Sequence, residues 1–590
     1  MIDGMVNSSV DGKQFRVRGS TVTVTGPQSL SCPRTTHLIA VTMANYRTVY
    51  DETTRTWHGP TVKHLFNPEA SMGQIMLEVL SRSPDRVMQQ DMDTGRSLTY
   101  AEFRTRLIRF AQNLTEVGLR PGEVVVLANA NSENLAPLAC ALLTIGVPFN
   151  PLAPAFNEYD MENMLRTTKP KLVFADADNY EVVRKALERA VPRGDTLPPI
   201  YVFECTRDDV KHAEDFMKET GSEETFVAPY LGDSKKTVAA ILCSSGTSGP
   251  HKGVQVTHAA CMHMTLRTRF FDATPSVHFN FSALHWATGF ASMLTPFFSG
   301  TIRLITRKSF SERQFLEAVE KYRVQAIFLP TAYSNAVMAH PRTKTADLSS
   351  LKIWMVGGSH VPEELRDRID ALLRPTGGRS VTTYGSSENG ACAMDIPKRK
   401  PGATGPLMLN TMIRIVDENG NRLGVGKQGE LLTKMSVEFG GYYGNEEASR
   451  NAIDSDGFFR TGDIGYIDEE GYLHVVDRKK DIFKYSGLQV VPTELEAIIT
   501  AIEGVQEVCV VGIRNTQNAT DVPAAVIVRR PDSKLDASQV RSIVDGQVSD
   551  YKRLRGGVHF LPELPKTQTG KVMRRKVIEM ISRMNHNNAS

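Results

Sequence analysis

Val238-Ala239-Ala240-Ile241-Leu242-Cys243-Ser244-Ser245-Gly246-Thr247-Ser248-Gly249-Pro250-His251-Lys252-Gly253 runs from an apolar stretch straight into small and hydroxylic residues. The apolar run is too short for an ordinary helix and reads as a strand buried on both faces. The loop behind it has phosphate-binding character. Glycines let backbone amides approach an anion, hydroxyls donate hydrogen bonds or meet Mg²⁺, and Lys252 adds a compact positive charge. It is not a Walker A loop, because Lys252 follows His251 and precedes Gly253 where that motif demands Gly-Lys-Ser/Thr. Taken alone, the window also reads as a solvated Ser/Gly turn.

Outward from this strand the pattern repeats. Val124 to Leu127, Leu172 to Ala175, Ala326 to Leu329 and Ile353 to Val356 are short apolar runs, separated by helical stretches such as Glu312 to Tyr322. Such alternation predicts βαβ units and parallel sheets. Upstream, Met72, Ile75, Met76, Val79 and Leu80 follow a helical rhythm. Thr99-x-x-Glu102 reads as a capping box opening a helix with Phe103, Leu107, Phe110 and Leu114 inside, stopped by Gly118. After about Pro401 the texture turns to glycine-rich turns and short alternating segments (Met412 to Val416, Gly429 to Thr433, Tyr472 to Val476), which predicts a small antiparallel β subdomain. A charged joint, Asp477 to Asp481, precedes a last unit with strands near Val508 to Ile513 and Ala524 to Val528 and a capping box expected at Thr493-x-x-Glu496.

Composition narrows the class. The 590 residues carry 69 Lys and Arg against 66 Asp and Glu, a net charge of +3, so no overall field marks a nucleic-acid or membrane binder. With 41% hydrophobic and 23% charged residues, a disordered or fibrous chain is excluded. The longest apolar stretch, Leu135 to Phe149, falls short of the roughly 20 residues that cross a bilayer. The seven cysteines are scattered and never form a CxxC pair, which argues for reduced intracellular thiols rather than disulfides or zinc.

Five segments in order then carry a resemblance: Ser244 to Gly253, Tyr384-Gly385-Ser386-Ser387-Glu388, Phe459-Arg460-Thr461-Gly462-Asp463, Asp477-Arg478-Lys479-Lys480-Asp481, and Pro565-Lys566-Thr567-Gln568-Thr569-Gly570-Lys571. Together they resemble the adenylate-forming superfamily of acyl-CoA synthetases, 4-coumarate-CoA ligases, beetle luciferases and peptide-synthetase adenylation domains. The resemblance extends from about Trp57 onward. It implies an α/β fold: a large N-terminal domain of two α/β subdomains plus a small β subdomain over residues 43–479, then a mobile α+β C-terminal domain over 480–590. Residues 1–42 are expected to be a floppy extension.

The implied reaction is ATP-dependent activation of a carboxylic acid to acyl-AMP, followed by transfer to CoA, with Mg²⁺ screening the phosphates. Carried over by position, Thr247, Ser248 and Lys252 would grip the β- and γ-phosphates, with Ser244, Ser245, Gly246 and Gly249 as further cofactor-binding residues of the loop. Glu388, with Thr247, would hold Mg²⁺, and Ser387 would meet the α-phosphate. Asp463 and Arg478 would bind the ribose. Gly357, Gly358 and Ser359 would run along the adenine, with Tyr384 and Gly385 beside it. Lys571 would bridge the substrate carboxylate and the α-phosphate. Lys480 matches the hinge about which the C-terminal domain swings, and in the second pose Lys484 and Gly487 would face the site, Gly487 leaving room for pantetheine. The acid pocket would be lined by Leu284 to Phe290 and Thr331 to Tyr333. His285 fits either a pocket wall or a hydrogen-bonded core position.

Bland readings stand beside these. Thr461-Gly462-Asp463 alone is a turn, Arg478 to Lys480 a solvated charge run, and the basic residues after Lys571 a helix end. Among relatives, amino-acid activation is disfavoured because Ala283 to Trp286 lacks the carboxylate that would meet an ammonium, and the chain ends soon after Lys571 without a carrier domain. Light emission is disfavoured by Trp286, Ala287 and Thr288 where luciferases usually carry His-Gly-Phe. A fatty or aromatic acyl-CoA synthetase fits best. A non-catalytic acyl or nucleotide binder built on the same fold is the alternative of a different class. Asn587-Asn588-Ala589-Ser590 is no Ser-Lys-Leu signal, so cytosol is the default expectation over a peroxisome.

Overall fold

The computed structural model describes residues 46–62, 67, 69–244, 251–268, 276–396, 398–485, 488–515, 520–567 and 570–587, with two strand pieces at Arg16–Val17 and Ser20–Thr21. The expected extension over 1–42 therefore lies almost wholly outside the described residues, as do Ser245 to Pro250 of the phosphate loop and Gly487.

The apolar runs form two mostly parallel sheets. In the first, seven strands lie in the order Lys211–His212, Ile200–Phe203, Leu172–Asp176, Val125–Ala128, Phe149–Pro151, Val238–Cys243, Gly253–Thr257, and its last pair is antiparallel. In the second, eight strands lie in the order Gly390–Met394, Arg379–Ser386, Ile353–Gly357, Ala326–Pro330, Val277–Asn280, Ile302–Ile305, Val87–Asp91, Ser97–Thr99, antiparallel at the two edges. The boundaries expected from sequence shift by about a residue.

One core joins the two sheets through the helices Met72–Arg82, Tyr100–Glu116, Leu135–Thr144 and Ala287–Ser299. Every residue of Leu135–Thr144 is buried, as befits a helix that is apolar all round but for Thr144, whose hydroxyl donates to the Cys140 carbonyl (2.8 Å). The Tyr100–Glu116 helix opens on the expected capping box, with Thr99 and Glu102 satisfying each other's backbone amides. In the second sheet the two-residue period divides the faces. Ile327, Leu329, Trp354 and Val356 enter a core with the Glu312–Tyr322 helix, whereas Ala326, Phe328, Pro330, Met355 and Gly357 face an open cavity.

The antiparallel subdomain is a six-stranded sheet in the order Leu473–Arg478, Phe459–Ile467, Gly429–Met435, Thr411–Val416, Thr56–His58, Val49–Asp51. Its two outer strands come from the beginning of the described body, which the sequence pattern does not assign to it. The C-terminal domain holds a three-stranded sheet (Val505–Asn515, Thr520–Arg529, Val558–Phe560), a hairpin (Phe483–Tyr485 with Leu488–Val490) and the helices Pro492–Thr500, Ala537–Asp545 and Arg574–Asn587.

The capping box expected at Thr493 is not there. The helix begins at Pro492, whose missing N–H suits the first turn, and Val491 is its N-cap. Thr493 instead donates its hydroxyl to the Val476 carbonyl (2.9 Å) and its amide to Asp477 (3.2 Å), while Glu496 accepts from the Val510 amide (2.8 Å) and from Arg574. Among the described residues no helix is long and apolar enough to cross a membrane, and the six cysteines described are free.

Candidate active site

The loops at the carboxyl ends of the second sheet open onto a cavity of about 1250 Å³. Ser244, His251, Lys252, Gly357, Gly358, Ser359, Gly385, Ser386, Ser387, Glu388, Arg478 and Lys571 line it, so four of the five sequence segments meet at one place. The fifth arrives through Asp463, which is paired in register with Arg478 and bonded to its Nε (3.1 Å).

The stem of the loop between Ser244 and Lys252 is closed by backbone pairing of those two residues (2.8 Å). His251 belongs to this stem: its Nδ1 lies 2.8 Å from the Ser244 carbonyl and its ring stacks on Phe156 at 4.9 Å. Lys252 places its ammonium 4.7 Å from the Tyr442 ring centroid, and the Tyr442 hydroxyl donates to Glu388 Oε1 (3.1 Å). Tyr442 thus orients both the loop cation and the carboxylate, a role with no sequence signal beyond its glycine-rich neighbours. Burial and the adjacent carboxylate push the Tyr442 phenol up, so it stays a donor to Glu388.

Close approach requires glycine at 385 and leaves little room for a side chain at 357. A Cβ on Gly385 would stand 2.1 Å from the Gly390 carbonyl, and one on Gly357 would stand 3.0 Å from Thr383. Gly358 takes φ +84°. Tyr384 turns its hydroxyl to Asp463 Oδ2 (2.7 Å), and burial together with that carboxylate raises its phenol well above the ordinary value. It is not among the residues lining the cavity. Asp463 also receives its own fixing bond, its amide donating to Thr461 Oγ1 (3.0 Å).

Lys571 sits on a tight hairpin closed by the Lys566 to Val572 bridge, with Gly570 at φ +75° at the turn. The turn rests on Ala332 and Tyr333 at the start of the Thr331–Ala339 helix. Burial, then repulsion from Arg478, lowers the Lys571 ammonium to about 8. Burial, then Arg478, also lowers Lys480, which lines the same cavity. Three cations crowd one wall, and Arg478 makes charging both lysines costlier while Asp463 and Asp481 offset part of that repulsion, an arrangement a polyanion relieves further.

His285 lines the cavity beside Trp286, ring centroids 4.9 Å apart. Burial drops its imidazole to about 3, and its Nδ1 is buried without a hydrogen-bond partner among the described residues. Of the two readings open from sequence, the neutral pocket wall is the one its position matches. Lys484 is not brought to the cavity; its ammonium lies 3.7 Å from Glu418.

A family model described as AMP-binding enzyme matches residues 77–443, and one described as the AMP-binding enzyme C-terminal domain matches 494–571. The chain belongs to the AMP-binding enzyme family. The adenylate-forming relatives include a probable 4-coumarate-CoA ligase 3 of Dictyostelium discoideum, 28% identical over 86% of this chain and 95% of that protein. They also include a luciferin 4-monooxygenase of Photinus pyralis, 30% identical over 84% of this chain and 92% of that protein. An anthranilate CoA ligase solved in complex with anthranoyl-AMP shares the fold, with a TM-score of 0.79 at 20% identity over 88% and 99% of the two chains. Tyr442 and Arg303 line the same cavity although no sequence motif announces them.

Proposed function

We propose that the chain couples a fatty or aromatic carboxylic acid to CoA by way of an acyl-AMP. The supporting observation is the cation wall of Lys571, Arg478 and Lys480 facing the glycine-edged loops across one cavity. A carboxylate oxygen would attack the α-phosphorus of ATP, the bond to pyrophosphate would break, and a CoA thiolate would then displace AMP at the carbonyl. The first step joins two anions, so Lys571 and Arg478 would offset their repulsion as charge builds in the transition state. Asp463 would accept the ribose hydroxyls, and Lys252 and the loop after Ser244 would take the terminal phosphates.

Glu388, fixed by Tyr442 and facing the cavity, is a hard carboxylate suited to Mg²⁺, with Thr247 as the second candidate; the ion would screen the phosphates. Lys480 would be the hinge between 43–479 and 480–590. Rotation there would withdraw Lys571 and bring up the Lys484 hairpin and Gly487 for thioester formation.

ATP-dependent AMP release over a panel of fatty and cinnamic-type acids, with and without CoA, tests the reading. Turnover stimulated by CoA is expected. No AMP release with any acid would favour a binding protein, and light on adding luciferin, ATP and Mg²⁺ would favour a luciferase-like oxidation of the same adenylate.

A further inference from the structure

The floor of the cavity holds a buried cation. Arg303 lies in the strand Ile302–Ile305, with 5% of its surface exposed, and lines the cavity. Its guanidinium donates to two neutral amide oxygens, Gln89 Oε1 (2.8 Å) and Asn131 Oδ1 (3.2 Å). Among the described residues no carboxylate stands within ion-pair distance of it. Glu133, whose carbonyl accepts from Gln89 in the same network, has its carboxylate held by Arg106 (2.5 Å) and Arg96 (3.6 Å). The other cations of the strand end are compensated: Arg307 by Asp176, Asp178 and Glu204, and Lys308 by Asp93. A guanidinium stays charged, and burying it without a counter-charge is costly. Burial brings Arg303 down to about 10, still charged at neutral pH.

Its place in the sheet gives the distance. Arg303 is in register with His278, and His278 with Ala326, four residues before the Pro330 and Gly357 pair at the nucleotide end. Four residues of parallel strand span about 13 Å along the strands, and the two to three strand spacings of about 4.8 Å that separate Arg303 from Pro330 and Gly357 add roughly 10–14 Å sideways. Between the two levels the wall carries Phe328, Met355, and Tyr333 stacked on Phe310 at 4.0 Å, with the amide of Asn280 in register with Phe328. The cavity therefore has cations at both ends and a middle lined by aromatic and aliphatic side chains with one amide.

We propose that Arg303 receives a second carboxylate at the far end of the acid, so that the chain selects dicarboxylic acids with an apolar middle over monocarboxylic ones of the same length. The planar fork matches a carboxylate bidentately. This inference rests on the acid-activating function proposed above.

The test compares decanedioate with decanoate, and 4-carboxycinnamate with 4-methylcinnamate, in the AMP-release assay, for the wild type, Arg303→Met and Arg303→Lys. The expected diacid to monoacid ratio of kcat/KM is about 100 in the wild type, falls towards one in Arg303→Met, and is intermediate in Arg303→Lys. Calorimetric binding of decanedioate and decanoate follows the same order without relying on turnover. A wild-type ratio at or below one in both measurements overturns the proposal, as does an equal loss on both acids in both variants, which marks a strand clamp. AMP release that ignores the second carboxylate defeats this inference alone; no AMP release with any acid defeats the acid-activating function instead.

Discussion

Lys571 has few reasons to be where it is except charge. Its hairpin carries it into a wall already occupied by Arg478 and Lys480, and burial with that repulsion holds its ammonium at about 8 rather than its usual value above 10. The charged form dominates below that value and is lost above it. Accordingly, kcat/KM for ATP in the adenylation half-reaction is expected to fall roughly tenfold per unit above pH 8, in a pH profile of pyrophosphate exchange. Arg at 571 stays protonated, so Lys571→Arg is expected to flatten that limb while lowering the plateau. A limb unchanged in Lys571→Arg assigns the titration elsewhere. His251 shows the other outcome at the residue scale: a polar side chain beside Lys252 that serves the loop stem, stacked on Phe156 and bonded to the Ser244 carbonyl.

At the scale of elements, the hairpin bearing Lys571 is anchored by the C-terminal helix directly after it. Arg574, at the start of that helix, bonds both oxygens of Glu496 (2.6 and 3.0 Å) and the Val510 carbonyl (2.5 Å), with Asp481 of the charged joint at 3.7 Å. Thr493-x-x-Glu496 reads as a capping box in sequence because that pattern is short and common. In the fold Glu496 is a bidentate anchor, and Arg574 is buried against it. Arg574→Ala is expected to leave Glu496 without its partner, costing about 3 kcal/mol of C-terminal domain stability, and to cut pyrophosphate exchange at least tenfold with little change in KM for ATP. Denaturant unfolding alongside exchange kinetics checks both; full exchange activity would show that Arg574 does not position Lys571.

A similar anchor ties the body together. Arg366 and Asp395, both essentially unexposed, pair directly, and Asp395 also accepts the Thr382 amide (2.7 Å). Truncating only Arg366 strands a buried carboxylate. Arg366→Met is expected to destabilise the body by about 3–5 kcal/mol, read by urea unfolding; a loss under about 1 kcal/mol contradicts the pairing.

For the molecule as a whole, the near-zero net charge hides a segregated distribution, with cations gathered at the two ends of one cavity. The period of the apolar runs made the parallel sheets legible, because a strand buried on both faces has a short, unbroken signature. The strands Val49–Asp51 and Thr56–His58 were not legible in that way, since they complete a sheet whose other members lie more than 300 residues later. The resemblance pointed to Lys252, Gly357, Gly358, Ser359, Ser387, Glu388, Arg478 and Lys571, which line one cavity, and also to Lys484 and Tyr384, which do not. It could not point to Tyr442, which works only through tertiary contact with Lys252 and Glu388, nor to Arg303. The one sequence trace of Arg303 is a charge interrupting the otherwise apolar Ile302-Arg303-Leu304-Ile305.

The central claim is that one lysine on a swinging domain serves the first half-reaction and withdraws for the second. Lys571→Ala, assayed with the acid that the wild type turns over fastest, separates them most directly. Pyrophosphate exchange is expected to fall at least roughly 100-fold, while the same variant converts preformed acyl-AMP and CoA to thioester at a rate within a few-fold of the wild type. Exchange close to wild type, or equal loss of both half-reactions in a folded variant, would contradict it.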